Sequence, residues 1–258
     1  MDTWRGRFGL LAIALFFAFG TSCFPLRRAP RTSVSAAGGY SRAEHETLDC
    51  GSNPVQRHHQ YGGLVTVRHE TDFGLTAGGR GQLLAGELDE SVNLMRDPDL
   101  SPYFVPGIGG FVGYEFPFAG GEIGLTGVAN FDAPRDRTAV IVVPYGRARL
   151  GDYELMSLEA QVGSRTAFAL DTRLFALGIG MRQPWIDLHA GLGFGGRLMV
   201  DQERGGLIIG SRNMLDFTIY LEGQIEVVDR FWITIGGQIG EQWPTAMLGV
   251  RYDVEAGD

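Results

Sequence analysis

His189 stands inside an alternating run two residues after Asp187, so both side chains fall on one face of an extended segment. An imidazole beside a carboxylate is two-thirds of a Ser–His–Asp hydrolase arrangement. No serine is spaced to be singled out as the nucleophile, and neither H-E-x-x-H nor G-x-S-x-G occurs. Hydrogen bonding in an interior is the preferred reading of His189. A second set is purely electrostatic: Glu222 and Glu226 lie four residues apart on one face of a single alternating run. The same parity gathers Asp187, Glu159, Glu122 and Glu115 with Arg147, Arg149, Arg165, Arg197 and Arg251. Acids facing arginines either line an aqueous passage with a transverse field or fill an interior with ion pairs. In the first case Glu222 and Glu226 favour cations. In the second their neutralisation strands buried arginines.

Other chemistry is excluded or weak. All 22 basic residues are arginine. The absence of lysine removes a Walker A loop, a kinase lysine and Schiff-base chemistry. Gly191–Gly196 matches G-x-G-x-x-G but has no βαβ surroundings, so inward strand glycines explain it better. His69, Glu70 and Asp72 read as strand-end residues, and His58–His59 near Glu44 and Glu46 as a solvated linker pair. No catalytic residue, metal site or cofactor is assigned.

The elements that position these side chains have a period of two. Phe217, Ile219, Leu221, Gly223, Ile225 and Val227 alternate with Thr218, Tyr220, Glu222, Gln224 and Glu226. Residues 231–240, 186–194, 122–131 and 248–254 repeat the pattern, and no stretch of 3.6-residue period follows residue 60. One apolar and one polar face per strand is the mark of a half-exposed sheet. The polar face is rich in glycine (Gly109, Gly113, Gly178, Gly180, Gly191, Gly193, Gly195), which suits a crowded interior better than a solvated surface. Aromatic residues collect at strand ends. Phe116, Phe118, Trp185 and Phe231 flank short turns, and Tyr103, Phe104, Phe131, Phe217 and Trp243 lie at the opposite ends, giving two belts of the kind that membrane interfaces select.

Arg5 and Arg7 precede an apolar run from Phe8 to Phe19 and then Gly20-Thr21-Ser22-Cys23, the layout of a secretory signal over 1–22. The small residues before Cys23 resemble a bacterial lipobox, which implies lipidation of Cys23; the alternative is ordinary cleavage with Cys23 available to pair with Cys50. Residues 23–60 carry net charge +2, are rich in Pro, Ser, Ala and Gly, and read as a flexible tether. Residues 61–258 carry net −11, which argues against nucleic-acid binding.

The strands, glycine-rich polar face and belts of 61–258 resemble bacterial outer-membrane β-barrel proteins as a class. The last strand resembles their assembly signal, with Gly249 followed by Tyr252 and Val254. The resemblance implies an all-β, closed, antiparallel up-and-down transmembrane barrel in the outer membrane of a Gram-negative bacterium. Its partners would be outer-membrane lipid and the barrel-assembly machinery. Nine strands are read between 103 and 255, and three more (61–70, 73–79, 82–93) make twelve, with ten as the alternative. The functions expected are a narrow small-solute pore or, alternatively, a scaffold barrel engaging an envelope protein through 23–60. A lipid hydrolase comes third, so no enzyme is expected.

Overall fold

The computed structural model describes residues 30–46, 55–89, 102–132, 139–152, 154–200, 206–210, 216–240 and 244–255. Strands β1 (Arg31–Glu46), β2 (Val55–Glu70), β3 (Leu75–Asp89), β4 (Tyr103–Glu115), β5 (Ala119–Ala129), β6 (Val140–Asp152), β7 (Met156–Val162), β8 (Arg173–Gln183) and β9 (Ile186–Gly195) follow one another. A small hairpin of β10 (Arg197–Val200) and β11 (Leu207–Gly210) comes next, then β12 (Asp216–Val228), β13 (Phe231–Gly240) and β14 (Thr245–Glu255). Twelve of these, all but β10 and β11, form one closed antiparallel barrel. Closure is made by β1 against β14, in register from Arg31↔Glu255 to Ser41↔Thr245. An even strand number brings the start of β1 and the end of β14 to the same end of the barrel, which is also where the short turns 71–74, 116–118, 184–185 and 229–230 lie. We call this the turn end and the other the loop end.

The twelve strands are not all those expected. The nine read from residue 103 correspond to β4–β9 and β12–β14, except that the run expected over 185–200 leaves the wall after Gly195 and resumes in the hairpin. The other three are β1, β2 and β3 rather than three short strands after residue 60. Residues 31–46 and 55–60, read as tether, are therefore barrel wall, paired along the whole of Arg31–Glu46 with Glu70–Val55. The error has a physical cause. β1 sets Ser33, Ser35, Ala37 and Gly39 inward against Val34, Ala36 and Gly38 outward, so small residues on both faces erase the polar–apolar contrast. Its strand character comes from backbone pairing on two sides. Its smallness has a use, because Leu170 leans on the sites where side chains at Gly39 and Gly62 would stand.

Leu221, Ile239, Ile123, Leu248 and Ile235 on the outer face are all more than half exposed, and lipid is the solvent that such a continuous apolar band requires. At the turn end Phe118, Trp185 and Phe231 face outward with Phe116 half-buried, and at the loop end Phe131 and Phe104 do so, with Phe217 half-buried edge-on against Phe194. Trp243 lies outside the described residues. Tyr103 is a correction: it faces inward, 6% exposed, and accepts a hydrogen bond from Gln60 at 3.0 Å. No helix among the described residues is long and apolar enough to cross a membrane. Leu221 lies near the middle of β12, so Leu221→Arg is expected to cost about 2–4 kcal/mol in equilibrium unfolding from phospholipid vesicles. An unchanged midpoint would mean that this face meets water.

Inward glycines and inward rings are complementary. A methyl at Gly178 or Gly191 would fall on the Tyr220 hydroxyl, one at Gly124 on the Tyr145 ring, one at Gly78 on Phe111 and one at Gly86 on Tyr103. Each ring lies flat along the neighbouring strand because that strand has no side chain there. A barrel of twelve strands is still too wide for wall side chains alone to fill, since diameter grows with strand number. The remainder is filled from the loop end.

Candidate functional site in the lumen

Between β7 and β8 the chain turns into the barrel instead of out of it. Gly163 takes the left-handed conformation (φ 75°) and passes so close to Pro144 and Tyr145 of β6 that no side chain fits. Residues 163–172 then cross the lumen. Ala167 and Phe168 are also left-handed (φ 49° and 65°), a conformation that costs about 1 kcal/mol or more for each L-residue and persists only where surrounding contacts impose it. Those contacts are numerous. Arg80 donates to the Arg165 carbonyl at 2.8 Å, Thr126 to the same oxygen at 2.7 Å, and Gln82 to the Thr166 carbonyl at 2.8 Å. Ser164 and Thr166 close the loop on itself by accepting from the backbone N–H groups of Phe168 and Asp171.

Toward the loop end the interior is apolar. Ala167, Phe168 and Ala169 pack with Leu84, Tyr103, Val105, Val128 and Val143 from the wall and with Leu198, Val200 and Leu207 from the hairpin. The hairpin is tied to this plug by Leu198 N–H on the Phe168 carbonyl (2.9 Å) and to β2 by Gln60 on the Leu198 carbonyl (2.6 Å). Arg197 is on β10 rather than on a wall strand; it is buried and donates to Thr245 Oγ1 at 2.7 Å. His58 is inward and edge-on to Tyr103, whereas His59 is beside Tyr40 at 2.6 Å, so the two do not act as a pair.

Toward the turn end the interior is charged and hollow. A cavity of about 260 Å³ reaches from Thr166, Leu170 and Asp171 beneath the plug to Arg31, Arg182 and Arg251 near the turns. Around it, acids and arginines form small chelates. Glu222 takes Arg165 Nη2 on both oxygens (3.0 Å each) and also pairs with Arg173. Arg173 spans to Asp171 (2.6 Å) and lies 4.2 Å above the Tyr220 ring. Burial opposes ionisation of Asp171, but the guanidiniums of Arg173 and Arg165 hold its carboxyl below its usual value. Glu122 accepts from Arg68 (3.0 Å) and from the Tyr145 hydroxyl (2.7 Å), with Arg80 at 3.6 Å. Arg80 itself is stacked between Phe111 and Tyr145, 4.8 Å from each ring. Arg149 pairs with Glu115, and Arg251 with Asp253 (3.0 Å) while lying 4.1 Å over Trp232.

His189 is held between two carboxylates, with Nε2 2.8 Å from Asp187 and Nδ1 3.0 Å from Glu159. Arg147 adds 2.6 Å to Glu159 and 2.9 Å to the His189 ring nitrogen. Two acids and an arginine leave this imidazole in an ion-pair cluster, not beside a hydroxyl nucleophile. Glu226 is apart from Glu222: its carboxylate accepts the Arg230 backbone N–H at 2.7 Å and caps the 229–230 turn. The two glutamates therefore do not make the acidic constriction that their spacing proposed. No group of His, Cys, Asp and Glu among the described residues is arranged to hold a metal ion.

Sequence reading missed Arg68, Arg80, Asp171, Arg173, Tyr145 and Tyr220. Arg80 falls in the gap between the expected strands 73–79 and 82–93, which β3 bridges, whereas Arg68 lies within the expected strand 61–70 and its parity was open to reading. Asp171 belongs to the plug, which has no period to read. Arg165, placed on the inner face by parity, does face the lumen, but from the plug and not from a wall strand. Cys23 and Cys50 lie outside the described residues.

No protein-family model matches this chain, and no curated protein matches it. Solved structures do. The chain is similar to the KdgM porin at 10% identity over 84% of this chain and 98% of that one, with a TM-score of 0.46. It is similar to the COG4313 outer membrane channel of Pseudomonas putida F1 at 12% identity over 90% and 97%, with a TM-score of 0.47. Outer membrane phospholipase A of Escherichia coli matches at 9% identity over 89% and 91%, with a TM-score of 0.38. These neighbours are outer-membrane β-barrel proteins, and the likeness is one of class.

Proposed function

We propose that this chain is an integral outer-membrane barrel of a Gram-negative bacterium that forms a narrow small-solute channel, shut at its loop end by residues 163–172. The observation that carries the reading is the charge-lined cavity of about 260 Å³ inside a barrel with an apolar outer face. A barrel serving only as an anchor gains nothing from keeping a hollow lined with arginine and carboxylate. Barrels of this class keep short turns periplasmic and long loops outside, so the cavity faces the periplasm and the plug faces out. The plug is a connection rather than a wall strand, so it can leave without breaking a ladder. Lipid of the outer membrane surrounds the band that includes Leu221, and the assembly machinery engages β14, where Tyr252 and Val254 face outward and Gly249 inward.

The scaffold alternative depended on a long tether, and β1 and β2 absorb much of it. The hydrolase alternative depended on His189, whose partners are Asp187, Glu159 and Arg147. The test is single-channel recording in planar bilayers. The wild-type protein is expected to be closed with brief openings, and a variant with residues 164–171 replaced by a four-residue Gly-Ser link is expected to give stable conductance steps. Failure of that variant to conduct while it retains heat-modifiable gel migration overturns the channel reading.

A further inference from the structure

We infer that the turn-end cavity binds a small solute bearing carboxylate or phosphate groups, and that the channel proposed above, on which this inference rests, carries anions. The sequence favoured cations on the strength of Glu222 and Glu226, but Glu222 is chelated by Arg165 and Arg173 and Glu226 caps a turn. The cavity does not share the negative balance of the chain. The protein carries net −8, whereas the cavity is lined by eight arginines against six carboxylates, with His189 besides, and Glu70 and Asp253 pair with Arg31 and Arg251 from behind the lining.

Accessibility sharpens the difference. None of the six carboxylates is more than about one-fifth exposed, from 3% for Asp171 and 4% for Glu159 to 19% for Glu115. Four of the eight guanidiniums stand further forward, Arg68 at 37%, Arg31 at 31%, Arg147 at 27% and Arg165 at 25%, while Arg80, Arg149 and Arg251 are as withdrawn as the acids. A solute in the cavity therefore meets N–H donors first. Arg68 gives Nη1 to Glu122 and lies 5.7 Å from the Phe111 ring, which fixes its plane while much of its fork stays accessible. Low-dielectric walls and a closed outer end keep this field from being screened as it would be on an open surface. The volume lies just below the range of about 300–1,000 Å³ typical of pockets for drug-sized ligands, so the solute is a small acid rather than a polymer.

The test is isothermal titration of the full-length refolded protein in an uncharged detergent with citrate, with inorganic phosphate and with spermidine. Saturable binding of citrate, phosphate or both, weakened by added sodium chloride, is expected, and none of spermidine; the two anion arms identify which oxyanion the site takes. Arg68→Gln is expected to weaken anion binding at least about fivefold while leaving Glu122 with Arg80 and Tyr145. Arg68→Lys serves the same purpose if the glutamine variant loses heat-modifiable migration. Absence of anion binding, or tighter binding of spermidine, overturns the inference. In bilayers, the plug-replaced variant is expected to show a reversal potential displaced toward that of the anion. A conducting but cation-selective variant overturns the anion inference alone, whereas absence of conductance with anion binding intact overturns only the channel.

Discussion

Glu222→Gln is expected to lower the stability of the barrel by about 3 kcal/mol, although it changes no volume and keeps a hydrogen-bonding side chain. In the wild-type protein this carboxylate neutralises Arg165 of the plug and Arg173 at the start of β8. The Arg173 side chain is 3% exposed and cannot exchange its partner for water. Without Glu222, Asp171 alone faces both guanidiniums, at 2.6 Å from Arg173 and 3.4 Å from Arg165. One buried positive charge is then left without compensation, and removal of one partner from a buried pair costs far more than the pair itself contributes. Equilibrium urea unfolding in detergent micelles, read by tryptophan fluorescence, measures the loss. Glu226→Gln, which keeps an amide oxygen to accept the Arg230 N–H and removes only the charge at the 229–230 turn, is the control and is expected to cost no more than about 1 kcal/mol. Equal effects of the two substitutions would refute the chelate.

The second large effect is expected for Phe168→Ala. Phe168 is 3% exposed and belongs to the loop-end apolar cluster together with wall residues such as Leu84 and Val105 and the hairpin residue Leu198. Truncation of a buried phenylalanine costs about 3–5 kcal/mol through lost transfer energy and the cavity left behind. The plug is anchored to the wall by side chains rather than by a ladder, so this loss falls on its docking. Hydrogen exchange of amides in 164–171 is expected to rise by about two orders of magnitude or more, and openings in single-channel records to lengthen, with heat-modifiable migration unchanged. A fall in the barrel's unfolding midpoint without faster local exchange would show instead that plug and wall melt as one unit.

What the sequence disclosed, and what it hid, follows from contrast. Strands such as β12 and β13 set Ile and Leu against Glu, Gln and Thr, and their bounds and faces were legible from alternation alone. In β1 the same architecture is written in Ser, Ala and Gly, and one of those small residues, Gly39, makes room with Gly62 of β2 for Leu170 of the plug. The reason for that glycine lies more than a hundred positions away. Glu222, Glu159, Asp187, His189 and Arg147 were placed on the inner face by parity, but parity gives a face and not a partner. Chelation of Glu222 depends on Arg165 and Arg173, delivered by a segment that turns inward at Gly163. A glycine in a loop does not by itself announce a reversal of direction; the close approach to Pro144 and Tyr145 that requires it is a tertiary fact.

The pairing of Arg31 with Glu255 brings the first and last wall strands together at the turn end. Every other wall ladder joins strands adjacent in sequence or, for β9 with β12, separated by one hairpin. The seam is therefore the pairing of longest range, and its loop-closure entropy must be met before its contacts repay it. Until it closes, β1 and β14 are the two open edges of a sheet, which makes the seam the slowest ladder to form.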